Sequence, residues 1–66
     1  MLIHTRATKD YPAIYWELGH QFDQYDYVSV HFAEGISEDG REFTGTAEVC
    51  GDEAEVMEIE EIITVK

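Results

Sequence analysis

Apolar and polar positions alternate with a period of two along much of this chain, most clearly in MLIHTRA, YVSVHF, EFTGTAEV and VMEIEEIITV. That period belongs to strands with one buried and one exposed face. The first stretch reads as a short strand. A different rhythm follows in KDYPAIYWELGHQFDQY, where Tyr11, Ile14, Tyr15, Leu18, Phe22 and Tyr25 recur at helical spacing. Asp10 suits a helix N-cap, and Pro12 falls in the first turn, where a missing N–H is tolerated. This spacing predicts a helix over residues 12–25, although Gly19 weakens it by about 1 kcal/mol relative to alanine. The competing reading is a strand at AIYWEL, which makes the protein an all-β small barrel.

Asp39-Gly40 is a hairpin signal. A two-residue turn there pairs Glu38 with Arg41 and sets Ile36 against Phe43, Glu34 against Gly45, Phe32 against Ala47 and Val30 against Val49. The other face then holds Ser37 with Glu42, Ala33 with Thr46, His31 with Glu48 and Ser29 with Cys50. Apolar residues meet apolar ones in this register, and a slip of one residue exchanges the faces. A loop over residues 51–55 continues the pattern, placing Val49 against Met57, Ala47 against Ile59, Gly45 against Glu61 and Phe43 against Ile63. A terminal helix is the alternative for this segment, but its β-branched ending favours a strand that runs on through Val65.

The predicted fold is therefore α+β in the order β-α-β-β-β, with one helix packed on a mostly antiparallel sheet. Residues 1–66 form a single small domain. A core of this size is close to the lower limit for independent stability, so a homodimer is a natural alternative to a monomer.

Charge adds a functional direction. The chain carries 15 acids against 4 bases, for a formal charge of −11, while 44% of its residues are hydrophobic. Hydrophobicity at that level argues for a folded domain rather than an acidic disordered tail. Residues 1–33 carry −2 and residues 34–66 carry −9. Direct binding of nucleic acid or of an anionic membrane is disfavoured, because phosphate recognition relies on Lys and Arg. A basic protein surface is the more natural partner. No apolar run is long enough to span a membrane, residues 1–20 do not read as a signal peptide, and the single Cys50 forms no internal disulfide. A cytoplasmic location is expected.

Few residues have the spacing of catalytic or metal chemistry. His4, His20 and His31 lack a ligand pattern, and a calcium loop centred on Gly40 fails because Gly35 and Thr46 fall at its first and last ligand positions. Cys50 sits among acids, which oppose thiolate formation. Neither a nucleophile elbow nor a phosphate loop is present. The reading is a non-enzyme without cofactor. Glu34 and Glu61, flanking Gly45 on the apolar face in the expected register, form a weak metal candidate, with a wet sheet end as the plainer explanation.

The outer face is the stronger candidate. Glu42, Glu48, Asp52, Glu53, Glu55, Glu58 and Glu60 are expected to share it or its bordering loop, with same-face neighbours roughly 6.6 Å apart along a strand. Such a carboxylate array suits a regulator or inhibitor that occupies the basic groove of a nucleic-acid-binding protein. Trp16, on the outer side of the expected helix, is the candidate aromatic anchor. The plainer account is a solvated face that confers solubility, and the alternative function is a self-associating structural protein.

Overall fold

A computed structural model describes residues 1–63 and contains five strands: β1 (Leu2–Thr5), β2 (Ile14–Tyr25), β3 (Val28–Ser37), β4 (Glu42–Cys50) and β5 (Glu53–Ile62). They form one antiparallel sheet in the order β1-β2-β3-β4-β5, curled into a half-barrel. There is no helix among the described residues, so the fold is all-β and the expected α+β arrangement is corrected. Among the described residues no helix is long and apolar enough to cross a membrane. The expected continuation of the last strand through Val65 lies outside the described residues.

The segment expected to be helical is β2, the longest strand. Alternation decides the matter at Ile14, Trp16 and Leu18, which face inward while Tyr15 and Glu17 face outward. A helix whose buried stripe follows the helical spacing leaves Trp16 in water; the strand buries it to 1% exposure. Burial of so large a ring is a strong preference. The apparent helical period beyond Leu18 comes from two register shifts in β2, between Leu18 and Gln21 and between Gln21 and Asp23. Each adds a residue and resets the alternation, so that Phe22 emerges on the outer side. Asp10 caps nothing. The Thr8 hydroxyl instead accepts the backbone N–H groups of Asp10 and Tyr11 at 3.3 and 3.1 Å, and the Thr8 N–H donates to the Tyr11 carbonyl at 2.8 Å.

The β3–β4 hairpin is also shifted from expectation by one residue. Ile36 pairs with Glu42, Gly35 with Phe43, Ala33 with Gly45 and His31 with Ala47. Its loop has three residues, Glu38, Asp39 and Gly40, and Gly40 adopts φ 86°. A two-residue type I′ turn needs positive φ at both central residues, and Asp39 does not have it. The loop is braced by Ser37, whose backbone N–H donates to the Arg41 carbonyl at 2.9 Å and whose hydroxyl accepts the Arg41 N–H at 3.1 Å. Between β4 and β5 the turn is Gly51-Asp52, with Cys50 opposite Glu53, rather than the longer loop expected over residues 51–55.

These registers stack the concave side in rows across the sheet. One row runs Ile3, Trp16, Gly35, Phe43, Glu61; another runs Leu18, Ala33, Gly45; a third runs Gln21, His31, Ala47, Val56. The core is Ile14, Trp16, Ala33, Phe43 and Ala47, with Ile3, Tyr11, Leu18, Val56 and Ile59 packed against it. Small residues occupy the inside of β3 because a curled sheet crowds its concave side. A Cβ at Gly35 would come within 2.5 Å of Ile14 Cγ2 and 2.7 Å of Trp16 Cε3. The Trp16 and Ile14 side chains therefore lie over the Gly35 backbone. Phe32 and Ile36, expected in the core, are displaced to the convex side at 51% and 50% exposure.

Candidate functional site

The convex side is where the charge collects. Its rows are His4, Tyr15, Ile36, Glu42, Ile62; then Leu2, Glu17, Glu34, Thr44, Glu60; then Phe32, Thr46, Met57; then Asp23, Val30, Glu48, Glu55. Of the residues expected on an acidic face, Glu42, Glu48, Glu53, Glu55 and Glu60 do share this side. Asp52 lies in the β4–β5 turn, and Glu58 lies at a register shift in β5 with φ 54°. The regular carboxylate array is not formed: Thr44 and Thr46 separate Glu42 from Glu48 along β4, and only Glu53 and Glu55 are same-face neighbours on β5.

What replaces the array is a mixture of acids and aromatic rings. Phe22 and Phe32 stack with centroids 4.2 Å apart and planes at 26°, although both remain about half exposed. His4 and Tyr15 stack at 4.4 Å and 21°. The Tyr25 hydroxyl donates to the Glu48 carboxylate, and this bond holds the phenol above its ordinary pKa of 10.0, with burial and the Glu48 charge acting in the same direction. Two like-charged pairs stand directly across strands, Glu17 with Glu34 and Glu48 with Glu55. Such pairs repel unless a cation is supplied.

Trp16 is not the anchor expected of it, since it is core, and its indole N–H donates to the Thr5 hydroxyl at 2.9 Å. The exposed aromatics are Tyr15, Phe22, Tyr25, Tyr27 and Phe32. Sequence reasoning assigned four of these five to a helix stripe or to the core. The signal that finds Tyr15 is the alternation of Ile14, Trp16 and Leu18 against Tyr15 and Glu17; the bulges that expose Phe22 leave no such trace.

The candidate metal pair is taken apart. Glu34 lies opposite Thr44 and Glu61 opposite Phe43, so the two carboxylates occupy opposite sides of the sheet. Glu61 is instead paired with Arg41, whose Nε and Nη2 donate to its two oxygens at 3.0 and 2.5 Å. Among the described residues no group of three or more His, Cys, Asp or Glu side chains is arranged to hold a metal ion. His31 lies across from Ala47, not Glu48. Its Nδ1 is 3.1 Å from the Gly19 carbonyl oxygen, which only accepts; the Nδ1–H tautomer donates there, and Nε2 accepts from the Ser29 hydroxyl at 3.2 Å. It braces the first β2 bulge. Cys50 is free and exposed beside Glu53, and Ser29 faces Val49 rather than Cys50.

Compared with protein-family models, curated proteins and solved structures, the chain matches none.

Proposed function

We propose that this chain is a small protein-binding module whose convex sheet face engages a basic surface on a protein partner. The observation that carries this reading is the interleaving of half-exposed rings with carboxylates that lack a basic neighbour. Among the described residues the ion pair within 4 Å is Arg41–Glu61, and its Glu61 lies in the concave-side row of Phe43. Aromatic groups supply contact area at low entropic cost, and complementary charge speeds encounter and rejects acidic competitors. A regulator or inhibitor that covers a nucleic-acid-binding groove is one form of such a module. A reducing compartment such as the cytoplasm suits its free, exposed Cys50.

The test is titration of the full chain with an arginine- and lysine-rich peptide, followed by amide NMR at low and high salt. Perturbations confined to the convex rows, with affinity falling steeply as salt rises, are expected. Binding that ignores salt, or that maps to the concave side, removes the proposal.

Self-association is the second reading, favoured by the strand edges. β1 and β5 end the sheet, and β1 pairs β2 only over Ile14–Glu17, leaving the later part of β2 beyond its reach. Sedimentation over a range of concentrations checks it; a monomer throughout excludes this role.

A further inference from the structure

The two convex rows nearest β1 border a depression of about 450 Å³, within the range of small-ligand sites. One wall is aromatic and apolar. His4 and Tyr15 are stacked there, and Ile36 stands across β3 from Tyr15. The other side is anionic: Glu17 faces Glu34 directly across the β2–β3 ladder, and Glu42 lies opposite Ile36 on β4. No Lys or Arg among the described residues pairs with these three carboxylates within 4 Å.

An occupant of this depression must satisfy two features at once. Two carboxylates on adjacent strands, with Cβ atoms about 5 Å apart, repel each other and offer acceptors to a single cation between them. A flat ring beside them offers a π face to that cation. Guanidinium meets both demands, because it is planar, stacks on aromatic rings and donates in a fork that bridges carboxylate oxygens. A lysine ammonium answers the charge but not the stacking. A neutral side chain answers only the apolar wall.

We infer that this depression receives an arginine side chain of the protein partner, with the guanidinium lying on Tyr15 and bridging Glu17 and Glu34. The inference rests on the reading of the convex face as a surface for a basic partner, and it names the point where that partner is gripped. His4 backs the Tyr15 ring and holds its orientation. Glu42 adds charge from the β4 side.

The experiment is a titration of the isotope-labelled full chain with a blocked Gly-Arg-Gly peptide, alongside its lysine and norleucine counterparts. Amide shifts are expected at Leu2–His4, Tyr15–Glu17 and Glu34–Ile36, with arginine bound several-fold more tightly than lysine and norleucine without effect. Glu34→Gln is expected to weaken arginine binding roughly tenfold, since one charged arm of the bridge across the two carboxylates is lost. Tyr15→Ala is expected to weaken it about threefold through loss of the π face. Asp26→Asn, in the β2–β3 turn outside the convex rows, leaves the affinity unchanged and controls for net charge. All three positions are exposed, and unchanged spectra away from the substitution confirm folding. Equal binding of arginine and lysine, shifts spread over every acidic position, or no shifts at all overturn the inference. If the arginine- and lysine-rich peptide still binds the convex rows in a salt-dependent way in that event, the surface stands and only the pocket falls. If it too fails to bind there, the wider reading has failed.

Discussion

The Tyr11 hydroxyl donates a hydrogen bond to the Ile59 carbonyl at 2.9 Å, tying the loop between the first two strands to the last strand of the sheet. Its ring meets Phe43 edge-to-face, with centroids 6.2 Å apart. The half-barrel is open between β1 and β5 in strand order, and the Tyr11 side chain reaches across the opening. Beside it, Thr5, Pro12, Ile14 and Val56 line a cavity of about 390 Å³. Tyr11→Phe is expected to lower stability by about 1 kcal/mol, the usual net value of one hydrogen bond. Tyr11→Ala also removes the ring from Phe43 and is expected to cost roughly 2–3 kcal/mol, a large share for a domain of this size. Urea unfolding of the two variants checks both. Equal losses for the two variants would show that the ring contact contributes nothing.

Gly35 is the second position at which a single atom matters. Because its missing Cβ is the space into which Ile14 and Trp16 pack, Gly35→Ala is expected to destabilise by about 1–3 kcal/mol through overpacking. Trp16, the chain's single tryptophan, reports on the same contact by fluorescence. Its emission is expected to move toward longer wavelength in the variant as the ring is pushed toward water. Trp16→Phe combined with Gly35→Ala should recover part of the loss, since the smaller ring leaves room for the methyl. A Gly35→Ala protein as stable as the parent contradicts the close packing over β3.

The same crowding explains which parts of the fold were legible in the sequence. The alternation in β3 and β4 was visible, and so was the existence of a hairpin near Asp39-Gly40. The register was not, because on the inside of a curled sheet bulk does not mark the core. Val30, Phe32 and Ile36 are larger than Ala33 and Gly35, yet the inside of a curled sheet has room only for the small set opposite Trp16. The loop shifted the ladder by the one residue needed to put them inside. The helical spacing within β2 has a related origin. Two bulges in β2 break a period of two into spacings of three and four, which is the signature of a helix. For the site, Glu42 and Glu48 were recognisable because β4 kept its alternation, whereas Glu53 and Glu55 fall in an expected loop and are strand residues on the same side. Their aromatic neighbours were not recognisable, since these come from β2 and from the displaced face of β3.

Glu58 sits at the bulge in β5 opposite Gly45, with φ 54° in the left-handed region. A side chain there costs roughly 1 kcal/mol that glycine avoids. Glu58→Gly is therefore expected to stabilise the fold by up to about 0.5 kcal/mol after the added freedom of the unfolded chain, about 0.4–1 kcal/mol, is subtracted. A β-branched residue is the worst choice at this backbone conformation, and Glu58→Val is expected to destabilise by more than the glycine gains. Thermal unfolding ranks the three proteins, and an order with valine above glutamate is incompatible with the bulge. This strand forms one edge of the sheet, where a bulge also discourages pairing with other chains. Glu58→Gly keeps the bulge and should leave the sedimentation behaviour unchanged.

The Arg41–Glu61 pair predicts a specific dependence on pH. The hydrogen bonds from Arg41 hold the Glu61 carboxyl below its ordinary 4.5, with burial opposing and the Arg41 charge assisting. Arg41 also lies over the Phe43 ring, its guanidinium carbon 5.4 Å from the centroid, so the pair covers the end of the core. A carboxyl whose folded pKa is depressed contributes stability that is fully present above the unfolded value and is lost as pH falls through the folded one. The wild-type chain should therefore exceed Glu61→Gln in stability at neutral pH, and the difference should close below pH 4.5. Asp39 acts in the same sense, because the Ser37 hydroxyl bond lowers its pKa, but it is present in both proteins and cancels. The general relief of repulsion as a chain of charge −11 is acidified largely cancels, because the two proteins differ by a single carboxylate. Both side chains are exposed, so the difference is small and shrinks with added salt. Urea midpoints of the two proteins measured from neutral to acid pH decide the point: a gap that persists unchanged into acid shows that the ion pair is not its source.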